Sequence, residues 1–431
     1  MSILSKLCSD LGKLKDSPEL KKSVIYIIAS TIGYGIVFIQ NFSLAYLLSI
    51  SFFGKISLII SLFSTLYVLY TFGLNAVVLR FHFDKNYNTD RRKLISHIVS
   101  IWLMLGVILT VVLLLLGYRF LVIDRFLQIE YYTEFLFILF AAFLFSFTEI
   151  LPNFFIAEEK PYSYAIYLVL SKAVIFSFLL LGVYLYGESS LYLSGMLFLS
   201  SLALFITGAL YFKIYHLIRI KKENLKEILI YALPLMVYAL GGIGYSHGYR
   251  VIVSNSLTYK DLAIFSLASQ LASVYYLAAA SSITGLYTKA YKRLEESNGK
   301  PETIRFYLRA LIYVGLGMQI LILPVVYLFL IYFKHGEFLN SFQILPVLIF
   351  GQFVFFLYGY NYILCTFYKK TNILTYSMFF GVITSLLLSF LMIRESNVLM
   401  AAIPVVCGLV VQFVISFLVI KRVVKTTHYL A

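Results

Sequence analysis

The residues of this chain that are best suited to bind a charged or polar ligand are the charged side chains inside long apolar runs. Lys172 and Arg250 each lie within such a run, and Glu149 lies in another, beside Pro152 and Asn153. A charge at the centre of a membrane helix costs roughly 2.5–3.5 kcal/mol, so such residues are expected to face a cavity or a partner rather than lipid. The pattern therefore predicts polar sites embedded among apolar helices.

The chemistry predicted for the two embedded cations is the binding of an anionic group. Arginine presents a planar fork of donors that matches phosphate oxygens, and lysine adds a second positive charge. We expect Arg250 and Lys172 to line a water-filled cavity, together with Asn41, which aligns with Arg250 when the chain is shifted by 209 positions. An alternative stays open for Lys172, namely a structural ion pair with Glu149.

Three other residues each have two open interpretations. His247 lies one turn before Arg250 and is either a helix-packing hydrogen bonder or, with Glu149, a participant in ion coupling. Arg80 and Lys289 fall at cytoplasmic helix ends, where long side chains reach toward the headgroups without a further role. The other interpretation is that both guide a substrate headgroup into an inward-open cavity.

Sequence motifs for catalysis and metal binding are absent. The chain contains no GxxxxGK[ST] phosphate loop, no HExxH and no GxSxG. Its three cysteines, Cys8, Cys365 and Cys407, are scattered and show neither metal-ligand spacing nor a disulfide framework. We therefore expect no catalytic residues, no metal site and no cofactor. The protein is not expected to be an enzyme.

The elements that position these residues are transmembrane helices. The chain has 431 residues, of which 61% are hydrophobic and 13% charged, about half the charged share of a soluble domain. A helix needs about 20 apolar residues to cross the hydrocarbon core. Twelve spans are predicted, at 24–50, 53–80, 94–117, 134–157, 162–186, 190–212, 229–256, 261–287, 305–333, 341–367, 371–393 and 398–420.

The distribution of positive residues predicts the orientation of the chain. The formal net charge is +15, but the lysines and arginines lie in short loops between spans rather than in a nucleic-acid-binding patch. The loops on one side carry 26 of them and the loops on the other carry 6. Because positive loops remain inside, both termini are predicted to be cytoplasmic, in a bacterial inner membrane.

A basic cytoplasmic linker at 213–228 divides the spans into two sets of six. The predicted organisation is a basic, cytoplasmic or interfacial N-terminus at 1–23, an N-lobe at 24–212, a C-lobe at 229–420 and a cytoplasmic tail at 421–431. Because each lobe has six spans, both lobes have the same orientation in the membrane, and a repeat that relates them is parallel. The two lobes are expected to surround a central cavity. The 209-position shift aligns Phe53–Leu58 with Leu262–Leu267 and Arg80 with Lys289.

Three short motifs in this order resemble a known transporter family. They are Lys226–Leu235 at the entry to the seventh span, Tyr259–Ser266 at the start of the eighth, and Phe52–Ser57 between the first two. The chain resembles the polysaccharide-transport branch of the multidrug/oligosaccharidyl-lipid/polysaccharide exporter superfamily, which includes the Wzx-type O-antigen flippases. It departs from that pattern at Ala263, where glycine is usual, and at Arg250, where many relatives carry a carboxylate.

The resemblance implies a flippase for undecaprenyl-diphosphate-linked oligosaccharide repeat units, of O-antigen, lipopolysaccharide or a similar surface polysaccharide. Its implied partners are that glycan, membrane lipid and the polysaccharide polymerase and chain-length machinery, with no nucleic acid. The alternative is a cation-coupled multidrug exporter of the same superfamily, which favours embedded carboxylates over embedded cations. A polymerase or ligase is disfavoured because the longest outward loop has only about 16 residues.

Overall fold

The predicted all-α architecture is confirmed by a computed structural model, which describes residues 18–82, 91–117, 132–212, 222–243, 249–297, 300–331, 336–368, 370, 372–392 and 399–429. These ranges contain fourteen α-helices, two 3-10 helices at Pro301–Ile304 and Gly336–Asn340, and no strand. The α-helices are α1 Pro18–Leu47, α2 Ile50–Thr71, α3 Leu74–Phe81, α4 Arg91–Gly117, α5 Tyr132–Ala157, α6 Pro161–Tyr186, α7 Ser190–Phe212, α8 Lys222–Ile243, α9 Tyr249–Ser256, α10 Tyr259–Glu296, α11 Arg305–Ile331, α12 Ser341–Phe367, α13 Asn372–Met392 and α14 Leu399–Tyr429.

Most of these helices have the length and composition of membrane spans. Within the described residues, 11 helical segments are long and apolar enough to cross a membrane. The remaining predicted span, 261–287, lies within α10. A helix satisfies its backbone donors and acceptors internally, which is what the absence of water in the hydrocarbon core requires. The chain is therefore a multi-pass membrane protein.

Local sequence signals set several of the helix ends. At the start of α10 the Thr258 hydroxyl accepts from the Asp261 amide at 3.2 Å, and the Asp261 carboxylate accepts from the Thr258 amide at 3.2 Å. This reciprocal pair satisfies two amides that the first turn leaves open. Pro161 begins α6, where its missing N–H costs nothing, and Gly187 ends the same helix with φ 61°.

The second predicted span differs from the structure, because 53–80 is not one helix. Phe72 and Gly73 have φ 48° and 71°, which no right-handed helix accommodates, so α2 ends before them and α3 begins after them. A Cβ on Gly73 would overlap the carbonyl oxygen of Ala232. Glycine at this position therefore permits both the left-handed turn and the close approach of α8.

The chain forms two compact units, and each draws on both sides of the linker. The described residues of the first unit fall within Met1–Ser43, Leu66–Arg125 and Ile129–Met236. Those of the second fall within Leu44–Thr65, Phe126–Gln128 and Val237–Ala431. The chain thus passes from one unit to the other inside α1, inside α2 and inside α8.

An aromatic cluster forms the centre of the first unit. The Trp102 side chain is fully buried and stacks on Phe143 with ring centroids 4.5 Å apart. Its Nε1 donates to Ser146 Oγ at 2.8 Å, which satisfies the one polar atom of the indole. Phe147 and Phe205 complete the cluster. These contacts join α4, α5 and α7 in one core.

In the second unit, the beginnings of α2 and α10 pack backbone against backbone. A Cβ on Gly54 would overlap the carbonyl oxygen of Tyr259 and lie 3.3 Å from the Ala263 amide nitrogen. Gly54 and Ala263 are themselves the positions that the 209-residue shift aligns. The two aligned segments therefore contact each other, and Gly54 has no room for a side chain at the crossing.

Candidate functional site

Arg250 lies in the first turn of α9 and is held by two serines of the second unit. Its side chain is only 6% exposed. Nη1 donates to Ser61 Oγ on α2 at 2.8 Å, and Nη2 donates to Ser269 Oγ on α10 at 3.4 Å. The guanidinium thus connects three helices. We call Arg250, Ser61 and Ser269 the serine cradle.

The hydrogens of both serine hydroxyls are committed to the backbone. Ser61 Oγ donates to the carbonyl of Ser57 at 2.7 Å, and Ser269 Oγ donates to the carbonyl of Ser266 at 3.2 Å. Each oxygen is therefore oriented to accept from the guanidinium. Ser57 and Ser266 are aligned by the 209-position shift, so the two carbonyls that orient the cradle serines belong to aligned residues.

The cradle leaves the charge of Arg250 uncompensated. Its two partners are neutral hydroxyls, and none of the ion pairs among the described residues involves it. Nε is buried and has no hydrogen-bond partner in the described part of the chain. An isolated buried cation is costly, and a bound anion would offset that cost. The arrangement suits a group with several oxygen acceptors, such as a phosphate.

Lys172 and Glu149 form an ion pair in the first unit, which is the alternative that the sequence left open for Lys172. Lys172 Nζ on α6 donates to Glu149 Oε1 on α5 at 2.6 Å, and the side chains are 19% and 29% exposed. Lys172 Nζ also lies 5.1 Å from the centroid of the Phe145 ring. The two opposite charges cancel, so this pair is not a second uncompensated cation.

Pro152 and Asn153 shape the α5 backbone next to Glu149. Pro152 lies inside α5 and has no N–H to donate to the preceding turn. Asn153 Nδ2 instead donates to the carbonyls of Glu149 and Ile150, both at 3.3 Å. The sequence signal Pro-Asn thus marks a turn in which a side chain supplements the helix bonds beside the part-exposed Glu149 carboxylate.

Tyrosines surround the ion pair. The Tyr34 phenol on α1 lies close enough to Lys172, Glu149 and Tyr164 to interact with them electrostatically. Tyr67 on α2 lies within the same range of Glu149 and Tyr34. Gly33 on α1 lies close to α6, because a Cβ there would contact Leu168 at 3.4 Å and Lys172 Cγ at 4.0 Å. These tyrosines belong to no sequence motif and were not predicted as site residues.

The other predicted site residues remain predictions. Asn41 is half-buried in α1 of the first unit, whereas Arg250 belongs to the second, so their shared cavity is untested. His247 lies outside the described residues. Arg80 and Lys289 lie in α3 and α10, but their side chains are outside the described part of the structure. No cluster of three or more metal-ligating side chains occurs among the described residues.

One protein-family model matches the sequence over more than half of its length. This model is described as "Polysaccharide biosynthesis protein" and matches residues 20–288. No curated protein matches the sequence. These results come from sequence alone and are independent of the geometry above.

Several solved structures share the fold over nearly the whole chain. The lipid II flippase MurJ in an inward closed conformation has a TM-score of 0.72 at 13% identity, over 92% of this chain and 87% of that one. An inward-facing multidrug resistance MATE transporter of the MOP superfamily has a TM-score of 0.65 at 14% identity, over 93% and 95%. A MOP superfamily transporter from Pyrococcus furiosus, with a binding pocket of reverse polarity, has a TM-score of 0.52 at 16% identity, over 96% and 97%. The predicted transporter fold is confirmed.

Proposed function

The chain belongs to the polysaccharide biosynthesis protein family, and from this premise we propose that it translocates undecaprenyl-diphosphate-linked oligosaccharide repeat units across the bacterial cytoplasmic membrane. The units move from the inner to the outer leaflet by alternating access, for O-antigen or a similar surface polysaccharide. The polyprenyl tail stays in lipid while the headgroup crosses between helices. No covalent bond is made or broken.

The observation that carries this proposal is the uncompensated charge of Arg250. A diphosphate offers several oxygen acceptors, and the guanidinium still has donors that the serine cradle does not use. Its burial removes competing water, which strengthens the interaction with an anion. The flippase fold of MurJ, whose substrate is lipid II, supports a lipid-linked substrate here as well.

We also propose the membrane orientation, the lobe arrangement and the residue roles that the sequence predicts. Both termini lie in the cytoplasm, and the two six-span lobes at 24–212 and 229–420 alternate around a central cavity. Asn41 contributes to the substrate site, and Arg80 and Lys289 assist headgroup entry. The exported units pass to the polysaccharide polymerase and chain-length machinery.

A multidrug exporter is the second candidate function. Its support is the MATE fold, at a TM-score of 0.65, and the part-exposed Glu149 carboxylate inside a span. Exchange of a cationic drug for a proton or sodium needs an embedded carboxylate. Against it, Glu149 is already paired with Lys172, and Arg250, which has no ion pair with the described residues, is positive.

The test is a deletion in the native host, complemented with wild type, Arg250→Lys or Arg250→Ala. We would measure surface polysaccharide, the leaflet location of its lipid-linked repeat unit, and resistance to cationic drugs. We expect surface glycan to be lost on deletion, with units stranded on the cytoplasmic face, and wild type to restore it. Arg250→Ala should fail, and Arg250→Lys, which keeps the charge but not the fork, should restore only part.

The same strains separate the two candidate functions. A deletion host that lacks any second flippase and still displays normal glycan, with unchanged leaflet distribution, contradicts the flippase proposal. Loss of drug resistance in that host would then support the exporter.

A further inference from the structure

The ion pair of the first unit keeps polar groups available. Among the described residues, Lys172 Nζ forms one hydrogen bond, to Glu149 Oε1, although an ammonium has three donors. Glu149 Oε2 forms no hydrogen bond with the described residues and is not buried. Both side chains are reachable, at 19% and 29% exposure. The pair thus offers unused donors and acceptors side by side at a position of no net charge.

We expect the face that exposes these groups to contact water or a ligand rather than lipid. A charged pair that contacted acyl chains would lose its hydration without replacement. Tyr34 lies on this face, because its phenol is within electrostatic range of both charges and its side chain is 57% exposed. The Tyr34 hydroxyl forms no hydrogen bond with the described residues.

Two further tyrosines lie near Tyr34, namely Tyr164 and Tyr67. The Tyr164 hydroxyl forms a hydrogen bond with Ser30 Oγ at 3.2 Å, and the Tyr164 ring packs edge to face on Tyr26 at 5.1 Å. Tyr67 packs on Phe145 at 5.1 Å. These contacts fix the rings of Tyr26, Tyr164 and Tyr67 on α1, α6 and α2.

A neutral polyhydroxylated ligand matches this chemistry. Sugar hydroxyls donate and accept, as do phenols, and a carboxylate beside an ammonium provides a strong acceptor beside a strong donor. The weakly positive C–H face of a sugar ring packs on the negative face of an aromatic ring. A diphosphate does not match, because the Lys172 charge is already compensated.

From these observations we propose that the cluster of Tyr34, Glu149 and Lys172 is a carbohydrate subsite that holds the sugar part of the substrate. The inference rests on the proposed function and assigns the sugar part of the substrate to the first unit. Glu149 and Lys172 then act in recognition, as a neutral pair, and not as a second anion site.

The test compares two lipids that differ only in the sugar. The purified protein in lipid nanodiscs is titrated with undecaprenyl diphosphate and with the host's undecaprenyl-diphosphate-linked repeat unit extracted from the deletion strain. Wild type should bind the repeat unit more tightly. Tyr34→Ala should weaken binding of the repeat unit by about three- to tenfold, the range for loss of one aromatic contact, and leave the sugar-free lipid unchanged.

Further variants separate the parts of the subsite. Tyr34→Phe keeps the ring and loses the hydroxyl, so its effect should be intermediate. The double variant Glu149→Gln with Lys172→Met keeps the site neutral and should act as Tyr34→Ala does. Arg250→Gln should weaken both lipids equally. Tyr184→Ala, on the same helix as Lys172 and 86% exposed, is the control and should weaken neither.

The outcomes distinguish this inference from the function on which it rests. A wild-type protein that binds neither lipid overturns the proposed function. A wild-type protein that binds both lipids equally overturns only the carbohydrate subsite. The subsite is also overturned if Tyr34→Ala changes the affinity for both lipids equally, or for neither.

Discussion

At the scale of single residues, the described part of the chain contains one embedded cation without an ion-pair partner and another that has one. Arg250 receives two neutral acceptors from Ser61 and Ser269, whereas Lys172 receives the Glu149 carboxylate. The net attraction for an anion therefore lies with Arg250. Its strength depends on the neutrality of the two serines as much as on the arginine itself.

Ser61→Asp tests this dependence. The new carboxylate would lie within reach of Arg250 Nη1 and compensate its charge, while leaving the arginine in place. We expect surface polysaccharide to fall at least about tenfold, with a melting temperature in detergent at or above the wild-type value. Ser61→Ala instead leaves Nη1 without its acceptor and should destabilise the protein by about 1–3 kcal/mol.

Ser256→Asp is the matched control for that experiment. Ser256 is exposed at the end of α9, the helix that carries Arg250, so it adds the same charge away from the guanidinium. Export should persist in this variant. Normal export by Ser61→Asp would mean that transport does not use the uncompensated charge of Arg250.

The sequence could identify the charged residues of the candidate site but not their neutral neighbours. Arg250, Lys172 and Glu149 stand out because a charge inside an apolar run has few structural explanations. Ser61 and Ser269 do not, because a serine hydroxyl that bonds to its own helix carbonyl is common at any depth. Tyr34 is one of 36 tyrosines, and only the fold brings it near the ion pair.

At the scale of the elements, glycine decides where two helices approach most closely. The left-handed turn between α2 and α3 requires Gly73, which also contacts the backbone of α8. Apolar periodicity does not reveal such a turn, because 53–80 remains hydrophobic through Phe72 and Gly73. The sequence therefore predicted the helices and their order, but not the break.

Gly73→Ala should destabilise the protein more than an ordinary helix substitution. A side chain at φ 71° costs about 1–2 kcal/mol, and the added Cβ also overlaps the Ala232 carbonyl. Gly35→Ala is the control, since nothing lies within 4 Å of a Cβ there and alanine favours the helix. Thermal unfolding in detergent should separate the two; equal melting temperatures would contradict a strained turn at Gly73.

At the scale of the whole molecule, the compact units do not follow the order of the chain. The linker predicted at 213–228 separates two sets of spans in sequence, but the second unit includes Leu44–Thr65 from before it. That segment carries Gly54, which packs against α10, and Ser61, which holds Arg250. The hydrophobic pattern predicts the spans, whereas this exchange depends on which helices pack together, and no periodicity specifies that.

Because Leu44–Thr65 belongs to the second unit, the two halves of the chain are expected to depend on each other when they are expressed as separate fragments. Expressed alone, residues 221–431 lack α2, so Arg250 loses the Ser61 acceptor and α10 loses its partner at Gly54. A buried donor left without its acceptor is costly, and we expect this half to be degraded in the membrane. Co-expression with residues 1–220 restores the missing segment and should recover both protein level and surface polysaccharide. Each half is measured by immunoblot alone and together, beside the intact chain. A stable C-terminal half with a cooperative thermal transition of its own would mean that Leu44–Thr65 is not an integral part of the second unit.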